Sequence, residues 1–292
     1  MKRILLSLLL SSLFALPCFA QSKSSSHIWE TSAWGDIPGL RHVDLFGMNT
    51  ATTTTFEAAW GESAAYTPLT AAMSTPYCAS NSANDAAAGT GARTISVKGI
   101  NTSFARFDET VTMNGTTSVN LATANVLLID SLTVLTAGSG LLNAGIIQCG
   151  TGANTGGDPA VTHAYMGVSS ATAVPAAGAG SGNNSQMFFY GVPVGHRLMC
   201  RGIGINTYLA AANGVQAVID VYSGTTGVFT RYWHAATNTT GGTPGYDPGV
   251  EVFPSSSILI GRIASTAAMV AILSAECILV SEAWEDSSQD IF

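Results

Sequence analysis

The stretch FDETVTMNGTTSV (residues 107–119) alternates between apolar and polar side chains and then breaks at Asn114-Gly115. Asn-Gly inside an alternating run is a strong signal for a two-residue β-hairpin, because both central residues of a type I′ turn need positive φ. The stretch therefore predicts a hairpin that turns at Asn114-Gly115. Asp108 and Glu109 open it, but adjacent side chains on a strand point to opposite faces, so we do not predict an acid/base pair.

The composition of the chain favours strands over helices. Of the 292 residues only 10% are charged, 31 are glycine, and threonine and serine are abundant. Few side chains are available to coat the solvent face of a helix. Short apolar or alternating runs separated by turn residues recur at close spacing, which is typical of a sandwich or a barrel. ILIGRI and CILV are dense enough to predict interior strands that are covered on both faces.

The N-terminus has the layout of a secretory signal peptide. Lys2 and Arg3 precede an apolar run that is too short to span a bilayer, and cleavage is expected after Ala20. We therefore predict no stable membrane span after signal removal. Gly/Ala/Ser/Asn-rich breaks occur at 151–160 and 169–184. The predicted organisation is a signal peptide-like segment (1–20), an N-terminal lead-in (21–45), two domains (46–155 and 160–285) and an acidic tail (286–292).

The charge of the chain limits the classes of binding partner, and its cysteine content bears on whether the chain is exported. The net charge is −7, with no cluster of lysine and arginine, which argues against binding nucleic acid or anionic lipid. Four cysteines follow the signal segment. They are compatible with two disulfides in an exported chain, or with buried free thiols on strands, and their spacing selects no connectivity. The cysteines are Cys78, Cys149, Cys200 and Cys277.

No motif for catalysis, metal binding or cofactor binding is present. The five histidines lie far apart and form no ligand pair of metalloprotease type. The glycine-rich runs lack the Lys-Ser/Thr of a phosphate loop, and no nucleophile elbow occurs. We therefore predict no catalytic residue, no cofactor and no metal ligand; weak calcium binding at Asp158 or Asp247 is the nearest alternative. The four N-glycosylation sequons arise readily by chance in a Thr-rich chain.

Several segments together resemble structural proteins of tailed bacteriophages. The carrying stretches are NDAAAGTGART (84–94), the Gly99-Ile100 strand end, DETVTMNGTT (108–117) and TAGSGLLNAG (136–145). The second half is similar only in its pattern of strands. The resemblance spans about residues 45–283 and implies an all-β protein with two β-sandwich, jelly-roll-like domains in tandem. It also implies a non-enzymatic virion component with a head-decoration, neck or fibre role.

The expected partners of such a protein are other virion proteins or copies of itself in a homo-oligomer. An alternative is a secreted, periplasmic or cell-surface β-sandwich module that binds glycans through exposed aromatic side chains. Its candidate contacts are Trp60, Tyr232, Trp233 and Tyr246. An exported hydrolase is a third alternative, and it would require a carboxylate pair or a His/Ser pair to converge in a cleft.

Overall fold

The computed structural model describes residues 39–62, 66, 68–169, 179–180, 182–208, 214–224, 227–238 and 245–283. Within these ranges, side chains are not described at 179–180, 208, 232–235, 237–238 and 245–248. The predicted signal segment, residues 21–38 of the lead-in and the acidic tail lie outside the described residues.

The described residues form strands that we number in chain order. Their bounds are β1 (Leu40–Asn49), β2 (Glu57–Ala58), β3 (Tyr77–Ser80), β4 (Ala92–Asn101), β5 (Arg106–Thr112), β6 (Val119–Asn120), β7 (Val126–Ala137), β8 (Ile147–Thr155), β9 (Asp158–Met166), β10 (Val168–Ser169), β11 (Ala179–Gly180), β12 (Phe189–Val192), β13 (His196–Tyr208), β14 (Gly214–Ser223), β15 (Phe229–Asn238), β16 (Gly245–Phe253), β17 (Ser257–Ser265) and β18 (Val270–Ser281).

These strands build four main antiparallel sheets, which confirms the all-β prediction. Sheet I has the order β1-β18-β13-β16, and sheet II has the order β12-β17-β14-β15, with β2 also beside β17. Sheet III has the order β6-β3-β8-β9, and sheet IV has the order β5-β4-β7. Strands β10 and β11 form a short parallel pair. We refer to sheets III and IV as module 1 and to sheets I and II as module 2.

Two large clusters of buried side chains form the core. In module 1, sheets III and IV contribute to one cluster, with Ile147 and Met166 from sheet III and Ile95 and Leu128 from sheet IV. In module 2, sheets I and II contribute to another. Strand β17 is buried along nearly its whole length, as predicted for ILIGRI. It can be covered on both faces because Leu259 and Ile263 face the module 2 core while Ile258 and Ile260 pack into the module 1 core.

The first strand crosses a predicted domain boundary. Residues 40–49 pair along their full length with residues 271–280 of β18, so the N-terminal part of the chain belongs to module 2. The predicted boundary at residue 45 falls inside this strand. The predicted break at 155–160 falls at the hairpin between β8 and β9, where Thr155 pairs with Asp158. Strand pairing thus joins segments that look separate in sequence, and the predicted division into domains stays a prediction.

The predicted hairpin at Asn114-Gly115 does not form. Strand β5 pairs with β4, which precedes it, and the following strand β6 pairs with β3 in another sheet. Gly115 has a φ of 61°, but Asn114 is not among the residues with positive φ, so a type I′ turn is excluded. The amide of Thr117 donates to the carbonyl of Asn114 at 3.1 Å. The Asn-Gly pair therefore forms a turn that carries the chain from sheet IV to sheet III.

Each module contains one disulfide between neighbouring strands. Cys78 on β3 faces Cys149 on β8, and Cys200 on β13 faces Cys277 on β18. All four residues are fully buried and lie in the two core clusters. The sequence left open whether the cysteines form disulfides or stay as buried free thiols. In the structure they form two disulfides, and the strand register decides which cysteines pair.

Candidate functional site

Three stretches that lie far apart in sequence meet around the buried Asp85: residues 84–94, 108–117 and 136–145. Its Oδ1 accepts hydrogen bonds from the amides of Ala92 at 2.6 Å and Ala144 at 2.8 Å. Its Oδ2 accepts from the amide of Gly145 at 2.8 Å and from the Ser80 hydroxyl at 2.6 Å. This Asp85 cluster fixes the loops on both sides of it.

Backbone contacts join the same loops directly. The amide of Gly115 donates to the carbonyl of Asp85 at 2.7 Å, and the amide of Gly138 donates to the carbonyl of Gly91 at 2.8 Å. A Cβ atom on Gly91 would lie 2.2 Å from Asp85 Oδ1, so only glycine fits there. The motif residues are therefore explained by loop architecture, and we assign no chemistry to Asp85.

Asp108 and Glu109 have separate hydrogen-bond partners. This agrees with the prediction that their side chains point to opposite faces of the strand. Asp108 accepts from Ser96 at 2.6 Å and lies 3.5 Å from Lys98 Nζ, and these partners lower its pKa. Glu109 accepts from the amide of Ala122 at 2.6 Å and from the amide and hydroxyl of Thr123. Burial alone would raise the pKa of Glu109, but these hydrogen bonds outweigh it and leave the pKa lowered.

The predicted aromatic contacts divide into two groups. Trp60 is 2% exposed and packs against Tyr66 and Phe189, with ring centroids 5.4 and 5.6 Å away. Trp60 is therefore a core residue, and its prediction as an exposed glycan contact is wrong. Tyr232 and Trp233 on β15 and Tyr246 on β16 lie at positions whose side chains the structure does not describe, so they stay a prediction.

The described histidines have separate environments. His42 lies between Asp44 and Glu276, at 3.6 and 3.5 Å. His163 is buried, which lowers its pKa, and its ring lies edge-on to Tyr66 at 6.4 Å between centroids. Among the described residues, no three His, Cys, Asp or Glu side chains are grouped to hold a metal ion. No described helix has the length and apolar character of a membrane span.

A charged site joins module 1 to module 2. Arg106 on β5 donates through Nη1 to Asp130 Oδ2 at 2.6 Å and through Nη2 to Oδ1 at 3.1 Å. The amide of Gly191 on β12 also donates to Asp130 Oδ2 at 3.1 Å. The carbonyl of Gly191 accepts from Arg106 Nη1 at 3.3 Å. The Arg106 guanidinium lies 4.9 Å from the centre of the Tyr190 ring. We call Arg106, Asp130, Tyr190 and Gly191 the junction.

The junction is buried and tightly packed. Burial alone would lower the pKa of Arg106, but the charge and hydrogen bonding of Asp130, together with smaller contributions from Tyr190 and Asp108, outweigh it and raise the pKa. Burial raises the pKa of Tyr190 to about 12, against the opposing effect of the Arg106 charge. A Cβ atom on Gly191 would lie 2.6 Å from the side chain of Ile100 in module 1. This glycine therefore permits the close contact between the modules.

Sequence reasoning missed the junction. Asp130 carried one local signal, since it is a lone charge inside the apolar run NVLLIDSLTVL, and a charge in a buried strand needs a partner. Nothing local pointed to Arg106, which is 24 residues away.

Two cavities border the junction. One, of about 230 Å³, lies along β1 and is lined by its residues 41–46 together with Lys98, Arg106, Asp130, Ser131 and residues of the segment 185–190. The other, of about 500 Å³, lies where the start of β1, the β4–β5 turn and the loop before β13 meet. Arg41 and Arg106 line both.

The comparisons with known proteins are sparse. No protein-family model matches the chain, and no curated protein matches it. A chain in a solved structure of the infectious bursal disease virus Gt strain is similar at 11% sequence identity, over 83% of this chain and 72% of that chain, with a TM-score of 0.24. We draw no function from a likeness at this level, and the resemblance to tailed-phage structural proteins stays a prediction.

Proposed function

We propose that this chain is a non-enzymatic structural component of a virion, built from two jelly-roll β-sandwiches that contact other virion subunits or copies of the same chain. The observation that carries the proposal is the order of strands in the four sheets. Jelly rolls occur in viral capsid proteins and in lectins.

The strand order of module 2 supports a complete jelly roll. When the eight strands of a jelly roll are numbered in chain order, its two sheets have the orders 1-8-3-6 and 2-7-4-5. With β1 as the first strand and β12 to β18 as the second to eighth, sheets I and II have these orders. Module 1 is then inserted between the first and second strands of module 2.

Module 1 has the same strand order in space, but its strands are circularly permuted along the chain. With β9 as the first strand and β3 to β8 as the third to eighth, sheet III has the order 1-8-3-6 and sheet IV supplies 7-4-5. Residues 183–185 take the place of the second strand beside β7. The amide of Val134 donates to the carbonyl of Asn183 at 2.8 Å, and the amide of Ser185 donates to the carbonyl of Leu132 at 2.9 Å.

The disulfides support this equivalence independently. The Cys78–Cys149 bond joins β3 to β8, and the Cys200–Cys277 bond joins β13 to β18. In the numbering above, both bonds join the third and eighth strands. A shared strand order with a shared disulfide position supports two modules of one design.

The motif stretches support a scaffold role over a chemical one. The segments that resemble phage structural proteins lie around Asp85, where they fix loops by hydrogen bonds and by glycine packing. The two disulfides are compatible with an extracellular location, including a particle surface, because such bonds persist in oxidising environments. A glycan-binding module remains the alternative.

Mass spectrometry of purified virions tests the proposal. We expect peptides of this chain in particles that have been separated from free protein on a density gradient. Accumulation of the chain in periplasm or medium, with none in the particles, would remove the proposal. A glycan array then tests the alternative, since it predicts saturable binding to a defined sugar.

A further inference from the structure

The larger cavity beside the junction is lined by four segments that lie far apart in sequence. Leu40 and Arg41 come from β1, Phe104 to Arg106 from the β4–β5 turn, and Pro193 to His196 from the loop before β13, with Leu279 of β18 at its wall. Its volume of about 500 Å³ is within the range of small-molecule sites, about 300–1,000 Å³.

The polar part of this cavity is cationic in an otherwise acidic protein. Arg41, Arg106 and His196 line it, and none of its described lining residues is an aspartate or a glutamate. The chain as a whole has 18 acidic residues against 11 lysines and arginines. The lining therefore does not follow from the overall charge.

The guanidinium of Arg41 has hydrogen-bond donors that no described residue occupies. It is exposed, and it makes no hydrogen bond or ion pair with any residue that the structure describes. The neighbouring Arg106 is held by Asp130. The carboxylate of Asp108 is close enough for the Arg41 charge to contribute to lowering its pKa, but it is already held by Ser96 and Lys98. Among the residues that the structure describes, none holds the guanidinium of Arg41, and its planar geometry matches a carboxylate.

The remaining lining is apolar. The cavity is also lined by five apolar residues, of which Val194 is 59% exposed: Leu40, Phe104, Pro193, Val194 and Leu279. Such a lining binds a ligand whose body is apolar and whose charge is confined to one end.

The wall is held in place before any ligand arrives. The amide of Val194 donates to the carbonyl of Phe104 at 3.1 Å, which ties the loop before β13 to the β4–β5 turn. Phe104 has a φ of 55°, an uncommon conformation for a bulky residue, and its amide donates to the carbonyl of Asn101 at 2.9 Å. Backbone strain of this kind is concentrated at binding sites.

We propose that this cavity binds a small organic carboxylate with an apolar body, with the carboxylate held by Arg41 and the body against Phe104, Val194 and Leu279.

Calorimetric titration of the full chain with hexanoate, hexanol and sulfate tests the proposal. We expect saturable binding of hexanoate, with hexanol and sulfate each at least about tenfold weaker, because one lacks the charge and the other lacks the apolar body. No hexanoate binding would overturn the proposal, as would hexanol or sulfate binding as tightly as hexanoate.

A matched pair of variants locates the site. Arg41→Met keeps an unbranched apolar side chain but removes the guanidinium, and it should weaken hexanoate binding at least about tenfold. Arg231→Met removes an arginine that is 49% exposed and paired with Asp220 on sheet II, and it should leave binding unchanged. Thermal unfolding of each variant reports whether it folds. Equal losses in both folded variants, or none in either, would overturn the assignment. The comparison of the three ligands on the unmodified chain stands on its own if a variant does not fold.

Discussion

Arg106 and Asp130 form a bidentate ion pair at the junction between the modules. The distance from Nη1 to Oδ2 is 2.6 Å, and the distance from Nη2 to Oδ1 is 3.1 Å. The Asp130 side chain is 2% exposed and also accepts a hydrogen bond from the amide of Gly191. The pair therefore couples two strands of module 1 to a strand of module 2. Loss of either partner therefore removes hydrogen bonds that hold the two modules together.

Asp130→Ala should lower the free energy of unfolding by about 3 kcal/mol, because the mutation removes the opposite charge beside Arg106 and leaves the Gly191 amide without its acceptor in a largely buried place. Urea unfolding followed by tryptophan fluorescence measures this loss. Arg197→Ala is a matched control, since Arg197 pairs with Glu282 where both are well exposed, and it should cost less than about 1 kcal/mol. Equal losses in the two variants would contradict a special role for the junction pair.

Asp85→Asn should destabilise module 1 by about 3–6 kcal/mol. The amide group has one acceptor oxygen where the carboxylate has two, so about two of the four charge-assisted hydrogen bonds are lost, at about 1.5–3 kcal/mol each. Limited proteolysis should then cut within residues 81–91 or 138–145. Asp158→Asn, an exposed aspartate at the start of β9, should change stability by less than about 0.5 kcal/mol. An Asp85→Asn protein with unchanged stability and unchanged proteolysis would contradict the role of the Asp85 cluster in fixing these loops.

Removing either disulfide should be costly for its own module. The bonds close loops of 71 and 77 residues, for which the chain-entropy treatment gives about 4 kcal/mol each. The double variant Cys78→Ala/Cys149→Ala and its counterpart Cys200→Ala/Cys277→Ala can be compared by calorimetry. A melting temperature that does not change on reduction of the unmodified chain would show that the bonds are not formed in solution.

Stability should fall in acid partly through Glu109. Its pKa in the folded protein is below the ordinary 4.5, so its contribution is fully present above pH 4.5 and is lost as the pH falls through the folded-state pKa. Glu109→Gln should therefore show a flatter loss of stability below that pH than the unmodified chain. Urea unfolding at a series of pH values measures this slope. Identical slopes would mean that the hydrogen bonds from Ala122 and Thr123 do not favour the ionised form.

Local patterns predicted the strands better than their partners. The dense run ILIGRI is β17, buried on both faces as expected. For FDETVTMNGTTSV, the strand and the separation of the two carboxylates were predicted correctly, but the predicted hairpin is wrong. The Asn-Gly turn is real, yet its strands pair with β4 and β3 instead of with each other. Pairing is decided by which sheet can bury each strand, and a short window of sequence does not contain that sheet.

The candidate site shows the same division. Asp85 lies in a recognisable glycine-rich motif, and Asp130 is a lone charge in an apolar strand, so each could be singled out from sequence. Arg41 and Arg106 carried no signal, because their surroundings come from β1, the β4–β5 turn and the loop before β13. Trp60 was misread for a similar reason: a lone aromatic residue does not show whether Tyr66 and Phe189 will cover it.

The sequence by itself determined the all-β class, the positions of several strands and the absence of any local catalytic motif, because these depend on composition and on alternation over a few residues. Only the tertiary structure decided that β1 joins β18, that the cysteines pair within modules and that two arginines meet at a cavity. Those contacts join residues up to about 240 positions apart, and they are selected by the shared burial of whole sheets, which no local stretch of the chain encodes.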